Sequence, residues 1–137
     1  MRFKLVVGVV QMCSTDDREH NFSVAARLVA EANARGVDLC CFPEGFHFIG
    51  GGETGLSSGQ IAESLEASAS LEKYAALAKE HGVMLSLGGF QERPSGAVSG
   101  AERGKVCNAH IIVSPEGGLL GVYRKMHLFD YADLVES

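Results

Sequence analysis

Two side chains in this 137-residue sequence stand where a protein usually places its chemistry. Glu44 closes the run Val37 to Phe46 (Val-Asp-Leu-Cys-Cys-Phe-Pro-Glu-Gly-Phe), a short apolar strand pattern that stops at a proline. Such a strand end sets a carboxylate on a turn at the rim of a sheet, where open α/β proteins hold their ligands. Partial burial there would raise the carboxyl pKa and make Glu44 a usable general base. The plainer alternative is a rim carboxylate bonded to its own turn. Lys125 follows a second apolar run, Leu119 to Tyr123, in the same way. Its ammonium can face a developing oxyanion, or it can lie beside Arg124 with only its stem covered. A carboxylate and an ammonium at two strand ends of one sheet suggest acyl transfer, which still lacks a nucleophile.

The four cysteines do not supply one by their spacing. Cys40 and Cys41 lie inside the first apolar run and Cys107 in a third, where a thiol is a small buried hydrophobe of low reactivity, and Cys13 sits at a strand exit. No C-x-x-C or disulfide-framework spacing links them, which points to reduced thiols in a cytoplasmic protein. His20, His47, His81, His110 and His127 show no metal-ligand spacing, so no metal is expected. Gly50-Gly51-Gly52 lacks the G-x-x-x-x-G-K-[ST] form and opens no helix. It reads as a flexible loop, and no cofactor is expected.

Periodicity predicts the elements that must carry Glu44 and Lys125. Residues 3–10 are nearly continuous β-branched sequence, the pattern of a strand covered on both faces. After the polar stretch Gln11 to Asp17, the positions Phe22, Ala25, Leu28, Val29 and Ala32 recur at threes and fours, one face of an amphipathic helix over about 18–35. Asp16, Asp17 or Asn21 can cap it and Gly36 stops it. The strand Val37 to Phe42 opens into a glycine- and serine-rich loop, His47 to Gly59. A helical region follows from about Gln60 to His81, broken near Ser68 to Ser70, then Gly82 and a strand from Val83 to Gly89. The order helix, glycine, buried strand thus occurs twice, which argues for a layered α/β architecture. Beyond Arg93 a polar surface excursion reaches Lys105, and Val106 to Val113 and Leu119 to Tyr123 flank Ser114-Pro-Glu-Gly-Gly118 as a hairpin. No further strand or helix is expected after Lys125.

Composition narrows the function classes. With 46% hydrophobic residues the chain can bury an ordinary core, and a net charge of -5 leaves no basic footprint for nucleic acid or an anionic membrane. The apolar run Leu5 to Val10 is shorter than the roughly 7–15 residues of a signal-peptide core, and no stretch reaches the roughly 18 of a membrane span. One domain, or part of one, is the reading.

Five segments run in one order along nearly the whole chain: Val7-Gly-Val-Val-Gln-Met12, Leu39-Cys-Cys-Phe-Pro-Glu-Gly-Phe46, Leu87-Gly-Gly-Phe-Gln-Glu-Arg93, Cys107-Asn-Ala-His110 and Ser114-Pro-Glu-Gly-Gly-Leu-Leu-Gly-Val-Tyr-Arg-Lys-Met-His-Leu-Phe-Asp130. Together they resemble the nitrilase superfamily of carbon-nitrogen hydrolases, and within it the nitrilase-like branch typified by deaminated glutathione amidase. The resemblance implies an α-β-β-α sandwich, often dimeric through its outer helices, and a Glu-Lys-Cys triad. In such a site the glutamate deprotonates the cysteine and the thiolate attacks an amide or nitrile carbon. Ammonia leaves from a thioester acyl-enzyme, which water then hydrolyses. Glu44 matches the base and Lys125 the lysine that stabilises the tetrahedral intermediate. A second glutamate beyond the lysine is matched by Glu136 in Leu134-Val-Glu-Ser137, across a shorter loop than the pattern has. Asn108 and Glu92 lie in matching segments and read as supports of strands and loops.

The nucleophilic cysteine of the pattern, in a segment like Cys-Tyr-Asp-x-Arg-Phe-Pro-Glu, has no match here. Residues 1–137 are therefore expected to be the N-terminal part of the domain, an incomplete sandwich inactive by itself. The implied function is a cytoplasmic amidase acting on a small carboxamide such as deaminated glutathione. A nitrilase, an ω-amidase or an N-carbamoyl hydrolase of the same superfamily is the nearest alternative. A non-catalytic half-domain that binds or regulates is the alternative of a different class. The partners expected are a small amide substrate and either a second copy or a complementing C-terminal half.

Overall fold

Short polar caps and glycines delimit the elements that carry the site. The computed structural model describes residues 4–95, 105–128, 130–131 and 134–135. Strand β1 (Val7–Val9) leads into helix α1 (Arg18–Ala34). Asp17 caps α1 by accepting the His20 N–H at 3.0 Å, and past its end Gly36 takes φ 69°, a left-handed turn that a side chain would strain. Strand β2 (Leu39–Cys41) returns parallel to β1. A short helix α2 (Ser58–Ile61) and a single 3-10 turn (Leu65–Ala67) precede helix α3 (Ala69–His81), capped by Ser68 through the Leu71 N–H at 2.9 Å. Strand β3 (Met84–Glu92) is parallel to β2, and β4 (Cys107–Val113) and β5 (Leu119–Arg124) add antiparallel to it. The sheet runs β1-β2-β3-β4-β5 in space as in sequence.

Both long helices cover one face of this sheet. Ala25 and Val29 of α1 and Leu71, Tyr74, Leu77 and Ala78 of α3 meet Cys40, Phe42, Leu85, Leu87, Phe90, Ala109, Ile111 and Val113 in one cluster. Each large apolar side chain so buried contributes about 1.5–3 kcal/mol. The fold is thus the α/β layering expected from the repeated helix-glycine-strand order. Among the described residues no helix is long and apolar enough to cross a membrane.

Four expectations need correction. The first strand is short, and within residues 1–137 it is covered on one face only: Val7 is 49% and Val9 85% exposed, because alternate residues point away from the helices. Asn21 is not a cap. It is fully buried and its amide donates to the carbonyls of Thr15 (2.7 Å) and His47 (2.9 Å), pinning two loops together. The loop from His47 is not free at its start, since His47 and Phe48 are buried and Asp16 accepts from the Thr54 N–H and hydroxyl at 2.5 and 2.6 Å. Beyond Lys125, β6 (Asp130–Tyr131) and β7 (Leu134–Val135) pair antiparallel with each other. Two-residue strands fall below the length at which alternation can be read from sequence. The polar excursion of 96–104 lies outside the described residues.

Candidate active site

Glu44 is held between two buried aromatic anchors. Phe42 (6% exposed) donates its N–H to the Ser86 carbonyl at 2.8 Å, so β2 is still bonded to β3 there. Pro43 has no N–H with which to continue the ladder, and Gly45 turns the chain at φ 71°. Phe46, fully buried, then re-enters the core, its ring 5.8 Å from Phe42 and 5.1 Å from Tyr74, edge to face in both cases. The chain leaves and re-enters the core within four residues, and Glu44 projects from the crest.

That crest rests on β3. The register of β3 against β4 shifts between Leu87 and Phe90, a bulge at Gly88-Gly89. Gly89 has φ 72°, and a Cβ there would lie 2.7 Å from the Gly45 nitrogen and 2.9 Å from Glu44 Cγ. Only a bare backbone lets the Glu44 turn sit this low on the sheet.

Two donors meet the carboxylate. Along β4, Ala109, Ile111 and Val113 are buried toward the helices, so Asn108 and His110 lie on the opposite face. Asn108 Nδ2 donates to Glu44 Oε1 at 2.6 Å, and Lys125 Nζ donates to the same oxygen at 3.1 Å. The Lys125 N–H in turn donates to the Asn108 carbonyl at 2.9 Å, which prolongs the β4-β5 ladder by one residue. Glu44, Asn108 and Lys125, far apart in sequence, thereby line one open cleft of about 340 Å³, with Phe42, His110 and Tyr123 on its walls. His110 Nε2 lies 2.8 Å from the Ser86 hydroxyl on that face.

Within residues 1–137 the Glu44 side chain is 61% exposed and that of Lys125 27%. The Pro43-Gly45 crest rises on the sheet face that the helices leave open, and in this stretch the Asn108 and Lys125 donors orient the carboxylate. Asn108, read from sequence as a support of strands and loops, lines the cleft and bonds Glu44. Its signal was its parity, a polar residue one step out of phase with Ala109, Ile111 and Val113. Glu136 lies outside the described residues. Cys40 is buried, which pushes its thiol pKa up, Cys41 and Cys107 are half-buried and Cys13 is exposed. Among the described residues no cysteine lines the cleft, and no group of three or more His, Cys, Asp or Glu could hold a metal.

Comparison with known proteins agrees with this architecture. A family model described as carbon-nitrogen hydrolase matches residues 6–137. Deaminated glutathione amidase of Dictyostelium discoideum is 37% identical over 125 residues, which are 90% of this chain and 42% of that protein. The same enzyme of Homo sapiens is 38% identical over 130 residues, 91% of this chain and 36% of the relative. The chain therefore spans less than half the length of these relatives. Among solved structures, the C. elegans NitFhit protein superposes with a TM-score of 0.76 at 28% identity, covering 95% of this chain and 30% of that one. Saccharomyces cerevisiae Nit3, a member of branch 10 of the nitrilase superfamily, shares the fold with a TM-score of 0.72 at 23% identity, over 90% of this chain and 45% of its own. With a family match running from β1 through the Glu44 crest and Lys125 to the last residue, the chain belongs to the carbon-nitrogen hydrolase family.

Proposed function

We propose that the protein carrying this chain hydrolyses the carbon-nitrogen bond of a small carboxamide, with deaminated glutathione as the first candidate, and that residues 1–137 supply the N-terminal part of its catalytic domain. The observation that carries this reading is the convergence of Lys125 Nζ and Asn108 Nδ2 on one oxygen of Glu44 at the mouth of an open cleft. Glu44 is the general base. It accepts the proton of a cysteine thiol supplied from outside this stretch, and the sulfur attacks the amide carbon. Lys125 faces the oxygen that becomes negative, and Glu44 returns its proton to the departing ammonia. The thioester is opened by water, whose proton Glu44 takes and passes back to the sulfur. Asn108 keeps the carboxylate in place through both halves of the cycle. Glu136 is proposed to hold the lysine and the substrate from the far side.

The reading is tested by expressing the complete reading frame that contains these residues and measuring ammonia release from a panel of ω-amides, nitriles and carbamoyl amines. Turnover of amides, deaminated glutathione among them, is the expected result. Turnover of nitriles alone would overturn the amidase assignment, and ammonia release from none of the panel would favour a binding module built on the same residues.

A further inference from the structure

Strand β5 presents a problem of register. Among the described strands it lies outermost in the sheet, and within residues 1–137 Leu119, Leu120, Val122 and Tyr123 are between 37% and 59% exposed. In this stretch the hydrophobic effect specifies its pairing only weakly, and a slip of one residue turns every side chain over. Its pairing with β4 already shifts between Ile112 and Val113, at the turn end. Lys125 lies just past the other end, where such a slip would turn it away from Glu44.

Besides the Lys125 N–H bond to the Asn108 carbonyl, that end is held by an ion pair. Glu92, the last residue of β3, is a carboxylate only 2% exposed. Its Oε2 accepts from Arg124 Nε at 2.6 Å and its Oε1 from Arg124 Nη2 at 2.5 Å, a bidentate fork. The Arg124 side chain is 55% exposed, but a buried carboxylate without its partner is strongly disfavoured, which favours keeping the fork closed. Glu92 stands opposite Cys107 and Arg124 opposite Ala109, positions of the parity that faces the helices. Successive residues of an extended strand point to opposite faces. Arg124 held from the helix side therefore delivers Lys125 to the open side, where Asn108 and Glu44 wait. The same strand β3 carries the Gly88-Gly89 bulge beneath the Glu44 crest, so both charged partners are referenced to one rigid element.

We propose that the Glu92–Arg124 pair is a positioning device for the active site, which sets the register of β5 so that the Lys125 ammonium reaches Glu44. Its kinetic consequence rests on the amidase reading above. The test compares Glu92→Gln, Arg124→Met and the conservative Arg124→Lys with the unmutated protein, all expressed from the complete reading frame. Three quantities are read: kcat and KM on the best amide, thermal stability, and the acetylation rate of Lys125 by an N-hydroxysuccinimide ester, followed by peptide mass spectrometry against Lys79 in the same sample. Glu92→Gln and Arg124→Met are expected to lower kcat by about tenfold to a hundredfold with a much smaller change in KM. Lys125 labelling should rise relative to Lys79, and Arg124→Lys should recover part of both. Folded variants that lose only thermal stability, with kcat and Lys125 labelling unchanged, would overturn the proposal. Failure of all three variants to fold would overturn it as well, since the pair would then serve the whole fold and not the lysine. An unmutated protein that turns over no amide would strike the functional reading alone, because the labelling comparison needs no substrate.

Discussion

At the scale of single residues, three side chains divide the work at the cleft. In the proposed reaction Glu44 carries the exchangeable proton and Lys125 the positive charge. Asn108 carries neither, yet its amide lies nearer the carboxylate oxygen than the ammonium does, at 2.6 Å against 3.1 Å. Glu44→Gln keeps the shape and both donors' reach but cannot take a proton, and should lower kcat/KM by about 10²–10⁴-fold, read as ammonia release. Asn108→Ala leaves the charges and loosens the carboxylate, for an expected loss of about tenfold with an unchanged melting temperature. His47 offers a test away from the cleft. It is 3% exposed and stacked on Phe90 at 5.3 Å, and both its ring nitrogens lack a hydrogen-bond partner among the described residues. Burial, with the Arg18 charge second, lowers its pKa from 6.5 to about 4. The unfolded chain therefore takes up a proton below pH 6.5 that the folded one refuses until about pH 4. Stability from this residue is complete above that window and is lost as the pH falls through it, by about 3 kcal/mol at full effect. Denaturant unfolding of the wild type should show this slope between those two pH values, and His47→Phe should remove it.

At the scale of elements, β3 is the reference for the site, and two glycines of nearly equal φ separate strain from space. A Cβ added at Gly36 (φ 69°) would meet no atom within 4 Å, whereas one added at Gly89 (φ 72°) would fall 2.7 Å from the Gly45 nitrogen. Gly36→Ala should therefore cost only the left-handed backbone penalty, about 1–2 kcal/mol, with kcat untouched. Gly89→Ala meets the same penalty and must also lift the Glu44 crest, so it should lose activity out of proportion to stability. Thermal melts and kcat measured side by side on the two variants check this.

At the scale of the whole molecule, the two faces of the sheet differ in kind. The helix-covered face holds the core, where Leu85→Ala should cost about 2–5 kcal/mol by the cavity it leaves. The other face shows Leu5, Val7 and Val9, in and just before β1, at 49–85% exposure within residues 1–137, a kind of apolar surface that monomers rarely leave open. The 137-residue chain by itself is expected to self-associate through this face, and Val9→Lys to reduce that association while changing stability by no more than about 0.5 kcal/mol. Sedimentation velocity across a concentration series reads the first, and denaturant unfolding the second.

The amino-acid sequence by itself determined the local pieces: the 3.6-residue period of α1, a polar cap before it among Asp16, Asp17 and Asn21, the helix break near Ser68 to Ser70, the glycine stops at Gly36 and Gly82, the 113–119 hairpin turn, and Glu44 and Lys125 as strand-end charges. Each of these follows from the conformational preferences of neighbouring residues and needs no distant partner. Tertiary structure alone decided the rest. Whether Val7 and Val9 are covered depends on what packs against their face of the sheet, which alternation in sequence does not say. Asn21 became a loop staple and Asn108 a site residue because their partners, His47 and Glu44, lie 26 and 64 positions away. Glu92 reads from sequence as a support of strands and loops, and only the adjacency of β3, β4 and β5 matched it to Arg124. The placement of Glu44 is the clearest case: the residues around it set the turn, but only the neighbouring strands β3, β4 and β5 bring Asn108 and Lys125 to its carboxylate.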